Sequence, residues 1–210
     1  MTVNIFSGAD KAIKEMNRQN LKAFNSLKLA KWDELNVIRQ VDTVYADSIR
    51  RAERKYYELA VEAYIVALYE AKVERNKAHR MADEAIDMIW VMEWLEDVDP
   101  VTMYAFYPEA ERKKARLIEA LTAAHNRNAE IDKALRYWTK QVAQYADNSV
   151  HYARLQAFKD AGVKKVMWIT QRDEKVCEEC GPLDGKIFDI DHVPDVPHWN
   201  CRCYLKPILE

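Results

Sequence analysis

No glycine occurs between Gly8 and Gly162, and the only prolines in that interval are Pro100 and Pro108. Glycine and proline are expelled from helix interiors and gathered into turns, so a stretch this long, lacking one and nearly lacking the other, is left with helix. From Gly162 onward the chain carries three glycines and four prolines. This step divides the 210 residues into a helical body, 1–162, and a short turn-rich module, 163–210.

Periodicity supports that division. Tyr45, Ile49, Ala52, Tyr56, Leu59, Ala63 and Val66 alternate steps of four and three, and so do Leu117, Leu121, Ala124, Asn128, Ile131, Leu135, Trp138, Val142 and Tyr145. Each series draws one stripe along a helix and calls for a partner helix, as in a coiled coil. Two long helices packed antiparallel satisfy both stripes. Asn128 then stands either as a polar register-fixing residue in the seam or at a solvated seam end. Asp10 to Gln40 also reads as helical, with Phe24, Leu27 and Trp32 inward. A further apolar segment, Ile86, Ile89, Trp90, Val91 and Trp94, stops at Asp97-Val98-Asp99-Pro100, and Pro108 suits the first turn of the next helix. The aromatic residues of these stripes read as core rather than as a ligand platform. No glycine loop capable of cradling phosphate is present.

After Val163 the period becomes two. Val166, Trp168 and Thr170 alternate with Met167 and Ile169, which suits a strand. Leu183-Asp184-Gly185-Lys186 offers an Asp-Gly pair for a tight primed turn into Ile187-Phe188, and a last short strand runs from Cys203 to Lys206 before Pro207. The fold expected is therefore mainly α: long antiparallel helices in a hairpin or bundle, with a small C-terminal α+β module of short antiparallel strands like a zinc knuckle. Three short strands bury little apolar surface, so the module needs a staple.

All four cysteines lie in the last 34 residues, as Cys177-x-x-Cys180 and, after a gap of 17, His198-x-x-Cys201-x-Cys203. A structural zinc ion takes four thiolate or imidazole ligands in a tetrahedron. Two cysteines three positions apart can converge on one ion, with Gly181 and Pro182 shaping the turn beside them. His198, Cys201 and Cys203 offer three candidates for the two remaining places, so four of the five residues Cys177, Cys180, His198, Cys201 and Cys203 are expected to bind Zn2+. His198 with one of the two later cysteines is the favoured completion. The competing reading is two disulfides. Met1 to Met16 shows no secretory signal, which points to a reducing cytosol and to metal.

The formal charge is -2 and the pI about 6.2. From Val163 to Glu210 seven Lys or Arg face nine Asp or Glu, so the module is not a polycation built to hold phosphates. Ile86 to Leu95, the most apolar run, contains Asp87 and Glu93 and is far shorter than the ~20 residues that cross a bilayer. The chain reads as soluble, without a membrane partner.

Trp168-Ile169-Thr170, Asp173, Cys177-x-x-Cys180, Leu183-x-Gly185 and His198-x-x-Cys201-Arg202-Cys203 together resemble the C-terminal signature of the phage Mu F-like minor head proteins, the phage head morphogenesis family. The resemblance covers about the last 50 residues and the helix before them. It departs at Trp199, where the family has proline after the histidine. It implies a minor structural component of a tailed-phage head, located in the virion and in the host cytoplasm during assembly. The implied partners are the portal protein and other head proteins, with packaged DNA nearby, and the implied role is in capsid assembly or DNA packaging and ejection. No enzymatic activity and no small-molecule substrate are expected, nor is the extra toxin domain of some relatives. The alternatives are a zinc-knuckle adaptor binding another protein or nucleic acid, and a metal-dependent nuclease built on His192, His198 and Asn200.

Overall fold

The computed structural model describes residues 5–30, 33–100, 103–123, 125–170, 178–199 and 201–209. Six helices precede three strands: α1 (Ser7–Lys28), α2 (Glu34–Glu70), α3 (Arg75–Ala85), α4 (Met88–Glu96), α5 (Phe106–Ala123), α6 (Arg127–Asp160), β1 (Lys165–Ile169), β2 (Ile187–Asp189) and β3 (Tyr204–Ile208). The mainly helical class and the small antiparallel sheet agree with the sequence reading.

Local chemistry sets the helix starts. The side chains of Asp33, Glu74, Asp87 and Asn126 each accept a first-turn backbone N–H, of Asn36, Asn76 and Lys77, Trp90 and Ala129 respectively. These caps satisfy donors that the helix itself cannot. They also explain two departures from the periodicity. Asp10 to Gln40 is not one helix: α1 ends at Lys28 and Asp33 caps α2, while Trp32 lies outside the described residues. The second stripe is likewise cut, because α5 ends at Ala123 and Asn126 caps α6. Asn128 is exposed in the first turn of α6, so it is the solvated end of a stripe rather than a register lock.

α2 and α6 form the central pair, and the two stripes do meet there. The Trp138 indole donates to Ser48 Oγ at 2.7 Å, the Tyr56 hydroxyl to the Val142 carbonyl at 2.9 Å, and the Tyr64 hydroxyl to Asp160 at 2.6 Å. Rising numbers on one helix match rising numbers on the other, so α2 and α6 run parallel, unlike the antiparallel stripe pairing expected. Antiparallel packing comes from the neighbouring hairpins. Ser48 donates to Asn20 at 2.6 Å and Lys28 to Asp132 at 2.6 Å, which sets α1 against both central helices. Tyr107 reaches Glu53 at 2.8 Å and Lys114 reaches Asp42 at 3.3 Å, which sets α5 against α2. The chain has room to return because α3, α4 and α5 lie between the two long helices. That is why a stripe alone cannot reveal direction.

Rings fill the centre. Tyr45 and Trp138 stand 5.0 Å apart, Phe106 and Tyr145 5.0 Å, and Tyr56 and Trp94 6.1 Å between centroids. Edge and tilted contacts of this kind add about 0.5–1.5 kcal/mol each beyond burial. The same buried cluster continues without a break into Val163, Val166, Trp168, Cys180, Cys201, Cys203 and Leu205.

α2 and α6 end alike. Val73 N–H bonds the Leu68 carbonyl and Val163 N–H the Phe158 carbonyl, the long-range bond of a Schellman ending. The left-handed residue is Gly162 (φ 74) after α6 but Lys72 (φ 65) after α2.

Candidate metal centre

The sheet has the order β2-β1-β3, with both neighbours antiparallel to β1. Val166 and Trp168 are its buried residues on β1, in the alternation expected. Between β1 and β2, Asp184 (φ -56, ψ 125) and Gly185 (φ 77) occupy the corners of a turn closed by Lys186 N–H on the Leu183 carbonyl at 3.0 Å. Only the second corner has positive φ, so this is a type II turn. The primed hairpin turn expected from Asp-Gly would require a strand immediately before it; a 3-10 turn, Gly181–Leu183, stands there instead. The turn is tied to β1 by Gly185 N–H on the Trp168 carbonyl at 2.8 Å and Thr170 N–H on Asp184 Oδ1 at 2.9 Å. Cys180 therefore sits at a fixed corner.

β3 enters from the opposite side. Alternation along Cys201-Arg202-Cys203 turns both cysteines inward and Arg202 outward, where it reaches Asp10 Oδ2 at 2.9 Å. Pro207, expected to end the strand, instead lies inside it opposite Val166, because β3 is an edge strand where a missing N–H is tolerated.

The ligand atoms of Cys180, Cys201 and Cys203 all lie within 4.8 Å of one another, and the three residues are 2%, 1% and 5% exposed. Cys180 Sγ is 3.6 Å from Cys201 Sγ and 3.0 Å from His198 Nε2. Thiolates sharing one zinc at about 2.3 Å stand about 3.8 Å apart on a tetrahedron, so the sulfur spacing fits that ion. His198 Nδ1 lies 2.9 Å from the Trp199 carbonyl. That contact holds the proton on Nδ1 and leaves the Nε2 lone pair facing Cys180. Three sulfurs thus converge, with the His198 imidazole nitrogen beside Cys180, and these are donor types that suit zinc. Cys177 lies outside the described residues, as do Asp173 of the motif and Asn200. Cys201 and Cys203 are free thiols.

The electrostatics drive the two later thiols apart in acidity. The hydrogen bond from the Cys201 thiol, opposed by burial and assisted by Cys180, holds the Cys203 thiol down to about 6. The same hydrogen bond, then burial, pushes the Cys201 thiol up. Packing sulfurs together in a dry pocket makes the first proton easy to lose and the next one hard, which is the strain a divalent ion relieves.

Other histidines stand apart. His192 is exposed in a second 3-10 turn, Ile190–His192, and His79 meets the Tyr69 hydroxyl at 3.0 Å. His151, to which the sequence gives no role, lies half-buried under the site. Burial holds it neutral, down to about 4, and it bonds the Cys201 backbone. Arg154, one turn further on α6, is 1% exposed and donates through Nη2 to Glu70 Oε2 at 2.7 Å and to the Leu205 carbonyl at 2.9 Å. His151 and Arg154 thus fasten both ends of the β3 entry to α6. Their spacing of three on a helix is the sequence signal, visible only once β3 is known to cross there.

Residues 111–206 match the family model described as Phage Mu protein F like protein. This Mu F-like part takes in α5 from Glu111, all of α6 and the module as far as Lys206, in agreement with the resemblance seen in the motif. An uncharacterized protein of Haemophilus influenzae (strain ATCC 51907 / DSM 11121 / KW20 / Rd) is 35% identical over 75 residues, which cover 33% of this chain and 17% of that protein. The chain thus spans less than a fifth of that relative's length. No solved structure matches. The buried thiol cluster falls inside the matched residues.

Proposed function

We propose that this chain is a structural minor head protein of a tailed phage, bound at or near the portal and acting in capsid assembly or in DNA packaging and ejection. The observation that carries the reading is the coincidence of the Mu F-like match with a convergent cysteine cluster, flanked by His198, inside the same residues. Zinc held by Cys180, His198, Cys201 and Cys203, with Cys177 as the fifth candidate, would serve as a structural cross-link. It would join the turn before Gly181 to the start of β3. With the three thiols buried, the site would close rather than present an open coordination position for turnover. The chain's work is then to hold a shape. Exposed Met88, Ile89 and Met92 on α4, at 38%, 63% and 47%, give the helical part apolar surface for a protein neighbour.

Co-expression with the portal protein of the same phage tests this. The expected result is co-elution with the portal ring and about one zinc per chain. A chain that never joins the portal, and particles that mature normally without it, would overturn the reading.

A further inference from the structure

A groove of about 630 Å³ runs between α4, the segment after it, and α6. Its walls are aromatic. Trp90 and Trp94, one turn apart on α4, stack at 6.2 Å with 22° between planes, and Tyr152 of α6 packs against Trp94 at 5.7 Å. Its rim is acidic: Glu93 on α4, Asp97 at the end of the same helix, and Asp195 from the distant segment before β3 line it. None of these three makes an ion pair among the described residues, and the one cation on the rim, Lys159, lies 3.8 Å from Asp191. The negative field reaches the floor. Burial first, and then Asp195, Asp99 and Asp97, push the Tyr152 hydroxyl up to about 12. A comparable groove between α5 and α6 differs, because there Arg112 and Lys113 are both turned onto Glu109, at 2.5 and 2.6 Å.

Ring faces attract cations, tryptophan most strongly, and a guanidinium can stack on a ring while its N–H groups reach carboxylates. We infer that this groove receives an arginine side chain from a protein partner, held between the Trp90, Trp94 and Tyr152 rings and the Glu93, Asp97 and Asp195 carboxylates. The inference rests on the groove alone and holds whether or not the partner belongs to a phage head. A neutral apolar side chain would leave three carboxylates uncompensated. A phosphate or nucleic acid would be repelled.

Acetyl-arginine amide, titrated into the full-length protein and followed by the tryptophan indole signals in nitrogen–proton NMR, tests the inference. The expected result is saturable shifts of the Trp90 and Trp94 indoles, assigned through Trp90→Phe, with Trp138 and Trp168 unmoved. Acetyl-citrulline amide, equal in shape but uncharged, should bind at least about tenfold more weakly, since it lacks the charge that ring faces and carboxylates attract. Asp97→Asn with Asp195→Asn should cost a similar factor, while Asp83→Asn with Glu84→Gln, also acidic but away from the groove, should change nothing. Equal binding of citrulline, full binding by the Asp97 and Asp195 variant, or shifts spread over all indoles would overturn it. Circular dichroism of each variant confirms that the fold is intact.

Discussion

The helical part and the C-terminal sheet share one core but are secured in different ways. Between α2 and α6 the stabilisation is spread over many rings, each replaceable in part by its neighbours. In the sheet it is concentrated on a few polar and sulfur atoms: Cys180, His198, Cys201 and Cys203 on one side, Arg154 and Arg202 on the other. A region with a large apolar interior tolerates the loss of any one polar contact. A three-stranded sheet does not, because little else orders it.

The widest test of that contrast is Trp138→Ala. The ring is fully buried between Tyr45 and Phe106, and the loss should cost about 3–5 kcal/mol in urea unfolding, lowering helix and sheet signals together. Should the sheet melt first, the core would be less continuous than it looks. Cys180→Ser should do the reverse. Zinc content should fall by at least half and amide protection should drop across β1 to β3, while the circular dichroism of the helices keeps about nine-tenths of its intensity. Asp147 probes the boundary itself. It is 6% exposed on α6, and burial, offset by Arg202 and reinforced by Asp10, pushes its carboxyl up to about 7. A folded pKa above the unfolded 3.8 means that the folded chain keeps a proton the unfolded chain releases, so this group costs stability progressively as pH rises from about 4 to 7. Asp147→Asn should therefore stabilise at pH 8 by about 2 kcal/mol, allowing for relaxation of the site, and by almost nothing at pH 3.5. A difference between variant and parent that does not change with pH would refute this. The smallest effects belong to the two helix ends. Lys72→Gly should raise stability by up to about 1 kcal/mol and Gly162→Ala should lower it by about 1 kcal/mol in thermal melts, since only glycine adopts that conformation without penalty.

Much of the fold is legible in the residues themselves. The absence of glycine foretells the helices, the period-two run from Val166 foretells β1, and the cysteine spacing foretells a cluster. What stays hidden depends on partners distant in the chain. The interruption before Asn126 is masked because Leu117 and Leu121 continue the same seven-residue count as Ile131 and Leu135, and periodicity is blind to a short gap that preserves phase. Parallel rather than antiparallel pairing of α2 and α6 is hidden because the stripe is the same in both directions. The turn type at Asp184-Gly185 is set by what precedes it, the 3-10 turn after Cys180, and not by the dipeptide. At the site, Cys201 and Cys203 read as rivals for one position. Their shared strand face brings both to Cys180, a juxtaposition that only the β1 to β3 register creates.

Pro207 carries a last consequence. It stands within β3, where the ladder to β1 runs from Lys165 opposite Ile208 to Ile169 opposite Tyr204, so its absent N–H must fall on the side turned away from β1. A further strand arriving there would find a donor missing at mid-length, and on the far flank β2 offers only three residues. Both borders are thus blunted against edge-to-edge fibre growth.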